Sequence, residues 1–205
     1  MDRAPGQNHV ELLGTVCEAP RLSHCLLGEQ FYAMRLCVRR QSLVDDLLPV
    51  MFPARIGGIP LAEGDRVRIV GQLRSYNKFV EGKNRLLLSV FARELAPEAL
   101  PQIDVNRILL AGNVCKKPTY RTTPFSREIS DLLIAARRTF RKSDYLPCIA
   151  WGRNARYAAQ LEVGNLVEIT GRVQSREYQK QEDWGVITRT AYEVSAATLA
   201  RVEKP

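Results

Sequence analysis

The chain repeats itself once, with an offset of 98 residues. The stretch NHVELLGTVCEAP at residues 8–20 matches NRILLAGNVCKKP at residues 106–118. After a shift of two residues, EGDRVRIVG at 63–71 matches VGNLVEITG at 163–171. A period this long corresponds to a whole domain rather than to one unit of a solenoid. The repeat therefore predicts two domains of similar fold, at residues 1–96 and 105–205, with a proline-containing linker at 97–104.

Each repeat has the pattern of β-strands. Side chains on alternate positions are apolar along residues 31–38 and 66–74, as in half-buried strands. Glycines at positions 14, 71, 112 and 171 interrupt the predicted strands, which is typical of a small barrel that bends sharply. A helix is predicted at 154–161, whereas its counterpart at 54–60 contains two glycines and a proline. Core positions are assigned to four apolar residues of the first repeat: Phe31, Met34, Leu36 and Val67.

The order of the predicted elements specifies a fold class. Three strands, a helix and two further strands follow one another in each repeat. This order is that of the OB fold, a five-stranded barrel with a helix before its fourth strand. The sequence therefore predicts an all-β chain of two tandem five-stranded OB-fold barrels, with one short helix per repeat.

The charge of the chain is uneven. The net charge is +8 and the pI is about 9.5, which favours a polyanionic partner. Residues 1–100 carry 13 Lys and Arg against 11 Asp and Glu, a net charge of +2. Residues 101–205 carry 17 against 11, a net charge of +6. The second repeat is therefore expected to make most of the contacts with an anionic ligand.

Several classes of protein are disfavoured. No apolar run is long enough to cross a membrane, and the N-terminal residues lack the apolar core of a signal peptide, so a cytoplasmic location is expected. The five cysteines and two histidines show no metal-ligand spacing, and buried thiols are expected instead. Asp45-Asp46 is interpreted as a solvated loop pair rather than a catalytic one. We expect a binding protein without metal or cofactor, not an enzyme.

Three motifs carry a resemblance to a known family. They are Asn-x-(Val/Ile)-x-Leu-x-Gly at 8–14 and 106–112, Trp151-Gly152, and Gly-(Asp/Asn)-x-Val-x-Ile-x-Gly at 64–71 and 164–171. With these motifs the chain resembles the bacterial single-stranded DNA-binding protein family, once per repeat. The resemblance implies sequence-independent binding of single-stranded DNA, with RNA also possible, in replication, recombination or repair.

The resemblance also has implications for assembly. Family members with two barrels per chain form dimers, so a homodimer presenting four barrels is expected. The open edge of a first strand, at 8–17 or 106–115, is the expected contact, because open edges tend to be covered. The chain ends without the acidic tip through which family members recruit partners, so that role is not expected. The short loops between the second and third strands predict a small footprint on DNA.

The resemblance places the binding residues mainly in the second repeat. Aromatic side chains stack on bases, worth about 1–3 kcal/mol each, and cations contact the phosphates. The four stacking positions of the family are occupied in the second repeat by Phe140, Tyr145, Trp151 and Tyr178. The predicted cationic contacts of this repeat are Arg137, Arg138, Arg153, Arg172, Arg176, Lys116 and Arg121.

The first repeat lacks aromatics at the same positions, which hold Ser42, Leu47, Pro53 and Lys78. Its predicted contacts form only a weak auxiliary site, made of Arg39, Arg40, Arg74, Tyr76 and Phe79. The second barrel is therefore expected to provide most of the affinity, with the first barrel mainly structural.

A second function is compatible with these features. OB folds also serve as protein-interaction modules, so the chain is alternatively an assembly scaffold of a primosome or another nucleoprotein complex. The aromatic-poor first repeat suits this alternative.

Overall fold

The chain forms two barrels in succession. The computed structural model describes residues 8–58, 60–80, 82–99, 103–138, 142–182 and 185–203. The first barrel consists of β1 (Asn8–Leu26), β2 (Glu29–Arg39), β3 (Asp45–Pro53), a 3-10 turn (Ala54–Ile56), β4 (Arg66–Val80) and β5 (Lys83–Pro97). The second consists of β6 (Val105–Val114), β7 (Thr119–Thr122), β8 (Glu128–Arg137), β9 (Ser143–Trp151), α1 (Arg153–Ala158), β10 (Leu166–Glu182) and β11 (Gly185–Arg201).

Strand pairing closes each barrel. In the first barrel β1 pairs with β2 and β4, β2 with β3, and β4 with β5, all antiparallel, and the parallel pair β3–β5 completes the circle. The second barrel closes in the same way through β6, β8, β9, β11 and β10. The predicted fold class, two tandem OB-fold barrels, is confirmed. The largest fully buried side chains come from both barrels and include Leu12, Leu36, Leu48, Ile69, Leu110, Ile134, Leu146 and Ile169.

The faces of β2 correct one assignment. Met34, Leu36 and Val38 are buried, as the alternation predicts. Phe31 has the opposite parity and is only half-buried, whereas its neighbour Tyr32 packs against the core. The assignment of Phe31 to the core is therefore wrong, because successive side chains of a strand point to opposite faces.

Three local features differ from the expectation. The first strand of the second barrel is split into β6 and β7, with Pro118 in the break, whereas β1 is continuous. Helix α1 ends at Ala158 rather than at residue 161, and residues 54–56 form a single 3-10 turn before Gly57 and Gly58. Among the described residues, no helix is long and apolar enough to cross a membrane.

The two first strands pair with each other. β1 and β6 run antiparallel, from Asn8 opposite Leu110 to Leu13 opposite Val105. The strand order β4-β1-β6-β10 therefore continues one sheet from barrel to barrel. This pairing corrects the expectation that the edge of a first strand is free to bind a second copy, because each edge covers the other within the chain. The homodimer stays a prediction, and it requires another surface.

The asparagine of the first motif has a structural role in both repeats. Backbone pairing of β1 with β4 ends at Val10 opposite Gly71. Beyond this point the buried Asn8 side chain replaces the backbone. Its Nδ2 donates to the Leu73 carbonyl at 2.7 Å, and its Oδ1 accepts the Leu73 N–H at 2.9 Å. Asn106 makes the same two bonds with Val173, at 2.7 and 2.9 Å.

Replacing Asn8 with alanine is expected to lower the free energy of unfolding by about 1–3 kcal/mol, because the N–H and C=O of Leu73 lose their partners at a buried site. Urea unfolding followed by circular dichroism measures this loss. The neighbouring His9 is exposed on the same strand, so His9→Ala is the matched control. Equal stability of the two variants would contradict the assignment.

Candidate nucleic-acid interface

A buried ion pair of the first barrel contacts the second barrel. Arg40 donates to Asp46 through Nε at 2.8 Å and Nη2 at 2.5 Å, and the Asp46 carboxylate is fully buried. Asp46 also accepts the backbone N–H of Ser175 at 2.8 Å, and Arg40 donates to the Ser175 carbonyl at 3.1 Å. The Ser175 hydroxyl in turn accepts the N–H of Leu47 at 3.0 Å. The pair therefore joins the two barrels.

The second barrel makes the reciprocal contact. Arg138 is paired with the buried carboxylate of Asp144, which accepts the N–H of Ser75 from the first barrel at 2.7 Å. Arg138 donates to the Ser75 carbonyl at 3.4 Å, and the Ser75 hydroxyl accepts the N–H of Tyr145 at 2.8 Å. The two contacts are related by a pseudo-two-fold axis, as in a symmetric dimer interface.

These contacts change two interpretations. Asp46 was expected to be solvated, yet it is buried, because it satisfies a guanidinium and a backbone N–H from two barrels. Arg40 and Arg138 were expected to contact phosphate, but their main partners are buried carboxylates and backbone carbonyls. A signal for this was present in the sequence, because Arg and Asp recur six residues apart in both repeats at the 98-residue offset.

A cationic cleft lies beside the Ser175 contact. Trp151, the last residue of β9, is 37% exposed at this cleft. Of the described residues that line it, four are arginines and none carries a carboxylate. The residues that line the cleft are Arg40, Arg127, Trp151, Arg172, Gln174, Ser175, Arg176, Ser195 and Ala196. One of the arginines, Arg40, comes from the first barrel, so the cleft is a property of the assembled chain.

Arg172 is poorly solvated within this cleft. Burial lowers the pKa of its guanidinium, and the neighbouring charge of Arg40 lowers the pKa further. Its Nη2 donates to Gln174 at 3.0 Å, while its buried Nε has no acceptor among the described residues. A buried donor without a partner is unfavourable. An anion in the cleft would supply negative charge close to this guanidinium.

The other predicted aromatics of the second barrel are also accessible. Tyr145 is 48% exposed on β9 and has the same parity as Trp151, about 20 Å away along the strand. Tyr178 on β10 is 37% exposed, and the guanidinium of Arg176 lies 5.8 Å from its ring centre. Phe140 lies outside the described residues. Three separate exposed rings can therefore stack on bases.

The remaining predicted cations differ in their availability. Arg137, Arg153 and Lys116 are exposed at strand or helix ends. Arg121 donates to Asp131 at 2.9 Å, so its charge is already paired. A free cation exchanges only water and counterions for a phosphate, whereas a paired one must first leave its carboxylate.

The predicted auxiliary residues of the first barrel are more scattered. Arg39 is paired with Asp45, whose pKa is lowered by this hydrogen bond. Arg74 has only 19% of its side chain exposed and lies 3.5 Å from the Asp144 carboxylate. Tyr76 and Phe79 are exposed, at 46% and 71%, on the part of β4 that extends beyond β1.

Sequence reasoning missed an aromatic group on the first barrel. His24 and Phe31 are stacked, with ring centres 4.9 Å apart and planes inclined by 9°. Phe91 lies 6.2 Å from Phe31. The parity of Phe31, opposite to that of Met34 and Leu36, was the available signal that it faces outward.

Known proteins show similar sequences. A family model described as the single-strand binding protein family matches residues 105–202. The chain is 36% identical to single-stranded DNA-binding protein 1 of Staphylococcus aureus (strain COL) over 85 aligned residues, covering 38% of this chain and 51% of that protein. It is 30% identical to single-stranded DNA-binding protein 1 of Lactococcus lactis subsp. lactis (strain IL1403) over 106 aligned residues, covering 48% of this chain and 69% of that protein.

The fold is similar to that of a solved structure over almost the full chain. The wild-type single-stranded DNA binding protein from Thermus aquaticus superposes with a TM-score of 0.80 at 22% identity, covering 98% of this chain and 96% of that chain. This likeness concerns the fold. The chain spans about half the length of most of the curated relatives it matches. From the family match and the similarity to the Lactococcus lactis protein over 69% of its length, the chain belongs to the single-strand binding protein family.

Proposed function

We propose that the protein binds single-stranded DNA without sequence preference, through the Trp151 cleft and the exposed tyrosines of the second barrel. The observation that carries this proposal is the composition of the cleft, in which an accessible tryptophan lies among four arginines. Arg40 and Arg176 are paired with Asp46 and Glu193, whereas Arg127 and Arg172 form no ion pair within the described part of the chain. Stacking on a ring and pairing with phosphate do not read sequence, so binding is general. The relatives are named as single-stranded DNA-binding proteins, which supports the same function. We propose that this binding serves replication, recombination or repair.

A groove along the junction of the two barrels supports a path for the bound DNA. The Trp151 cleft shares Arg172, Ser195 and Ala196 with a second groove, which is also lined by His9 and Arg107 from β1 and β6. A single-stranded DNA whose base stacks on Trp151 can continue past the partly desolvated Arg172 towards this junction. Two barrels bound at one time would raise the overall affinity through their high effective concentration.

The alternative function is that of an assembly scaffold. An assembly scaffold was favoured by an aromatic-poor first repeat, which lacks aromatics at the four stacking positions. His24, Phe31 and Phe91 provide aromatics on the first barrel. We therefore propose nucleic-acid binding for both barrels. The division at residues 97–104 and the homodimer are retained as parts of this proposal.

The salt dependence of binding tests the cleft. In Arg127→Ala/Arg172→Ala, the log–log slope of affinity for oligo-dT against salt should become shallower by about 1.4, since each phosphate contact on a single strand contributes about 0.7. Both arginines line the cleft. Fluorescence anisotropy at several salt concentrations measures the slope. Arg121→Ala is the matched control, because its charge is paired with Asp131. If the control flattens the slope as much as the double variant does, the phosphates do not follow the cleft.

A further inference from the structure

The first barrel has an aromatic residue at the place that corresponds to Trp151, but on the neighbouring strand. In the second barrel Trp151 on β9 lies opposite Ile129 on β8. In the first barrel Pro53 on β3 lies opposite Phe31 on β2. Residues directly opposite each other share a face of the sheet. The first barrel therefore carries its aromatic residue on β2, directly opposite the position on β3 that corresponds to Trp151.

A second aromatic corresponds to another residue of the Trp151 cleft. Phe91 on β5 lies opposite Gln72 on β4, just as Ser195 on β11 lies opposite Arg172 on β10. Ser195 lines the Trp151 cleft. The equivalent place in the first barrel therefore holds a phenylalanine where the second barrel has a small polar residue.

The rings of this place form an ordered cluster. His24 is exposed and is stacked on Phe31, with centres 4.9 Å apart and planes inclined by 9°. Phe31 and Phe91 are half-buried, 6.2 Å apart and inclined by 43°. A planar base can extend such a stack at its exposed end, because the ring that it meets is already oriented.

One guanidinium lies beside the cluster. The Arg74 guanidinium lies 5.8 Å from the centre of the Phe91 ring. Burial lowers the pKa of Arg74, and the nearby charge of Arg138 from the second barrel lowers it further. Arg74 and Arg138 share one carboxylate, that of Asp144. An anion here would relieve repulsion, in the same way as at Arg172 and Arg40 on the other side of the pseudo-two-fold axis.

We propose that His24, Phe31 and Phe91 form a second base-stacking site for single-stranded DNA, with Arg74 as its phosphate contact. This proposal rests on the function proposed above and specifies where the first barrel takes part in it. It replaces the expectation that the first barrel is mainly structural. The 98-residue offset of the repeat does not reveal this site, because the aromatic residue lies on β2 in the first barrel and on β9, the counterpart of β3, in the second.

Binding of dye-labelled oligo-dT to the full chain tests the site. His24→Ala/Phe31→Leu should weaken binding of an oligonucleotide long enough to reach both barrels by about 5- to 150-fold, and should reduce the number of nucleotides bound at saturation. The leucine keeps apolar volume on the hairpin. The matched control is Leu22→Ala/Leu26→Ala, which removes exposed leucines from the same β1–β2 hairpin. His24→Ala alone, at an exposed position, should weaken binding in the same direction.

A spectroscopic measurement locates the base directly. The chain has two histidines, and the His24→Ala spectrum identifies the ring resonances of His24 in histidine-labelled protein. Oligo-dT should move these resonances upfield, because a stacked base shields the ring beneath it. Unchanged His24 resonances at saturation would overturn the proposal.

The outcomes separate this site from the function on which it rests. If Trp151→Ala weakens binding and the His24 and Phe31 variants bind as the unmodified protein does, the second site is refuted and the proposed function stands. If the unmodified protein does not bind oligo-dT, both proposals fail. If both sets of variants weaken binding, both barrels bind DNA.

Discussion

Asp144→Ala is expected to lower the free energy of unfolding by about 3–5 kcal/mol, the usual result of removing one partner from a buried ion pair. The change leaves the guanidinium of Arg138 and the N–H of Ser75 without the carboxylate that both contact. It therefore destabilises the second barrel and its contact with the first at the same time. Urea unfolding followed by circular dichroism gives the change from the shift in midpoint.

The matched control for this variant is Asp45→Ala. Asp45 is also paired with an arginine of its own strand pair, Arg39, but the two side chains are 34% and 62% exposed. An exposed pair contributes at most about 1 kcal/mol. If Asp144→Ala is no less stable than Asp45→Ala, the buried pair does not hold the barrels together.

Trp151→Ala is expected to weaken binding of oligo-dT by about 5- to 150-fold, which corresponds to the loss of about 1–3 kcal/mol of stacking. The ring is accessible, and the arginines of its cleft hold the phosphates of the bound oligonucleotide close to it. Fluorescence anisotropy with a labelled oligonucleotide measures the loss. Trp151→Phe retains an aromatic face and should restore most of the affinity.

Intrinsic fluorescence gives an independent measurement of the same contact. Trp151 and Trp184 are the two tryptophans of the chain, and Trp184 lies outside the described residues. A base stacked on Trp151 should quench its emission, and most of the quenching should disappear in Trp151→Phe. Equal quenching of the variant and the unmodified protein would show that the base stacks elsewhere.

Local patterns in the chain were sufficient to predict the barrels. Alternation along residues 31–38 places Met34, Leu36 and Val38 inside, and the repeated order of strands and helix specifies the OB fold. The exposed rings of Tyr145, Trp151 and Tyr178 could also be predicted, because each occupies a position that the family resemblance assigns. These predictions succeed because strand periodicity and turn residues act within a few positions of the chain.

The arrangement of the two barrels depends on contacts between distant residues. Pairing of β1 with β6 covers the edges of both first strands, which the sequence alone predicted to be open. The Asp46–Ser175 and Asp144–Ser75 contacts join residues 129 and 69 positions apart. A buried carboxylate requires partners with suitable geometry, and no local pattern specifies which distant backbone N–H will lie opposite it.

The same distinction explains the binding residues. The sequence was enough to identify which side chains can stack on a base or contact a phosphate. Only tertiary packing decides that Arg40 and Arg138 are held by buried aspartates, and that His24, Phe31 and Phe91 come together on the outer face of the first barrel. The physical reason is that the type of a side chain is fixed along the chain, whereas its neighbours are fixed by the pairing of strands far apart in sequence.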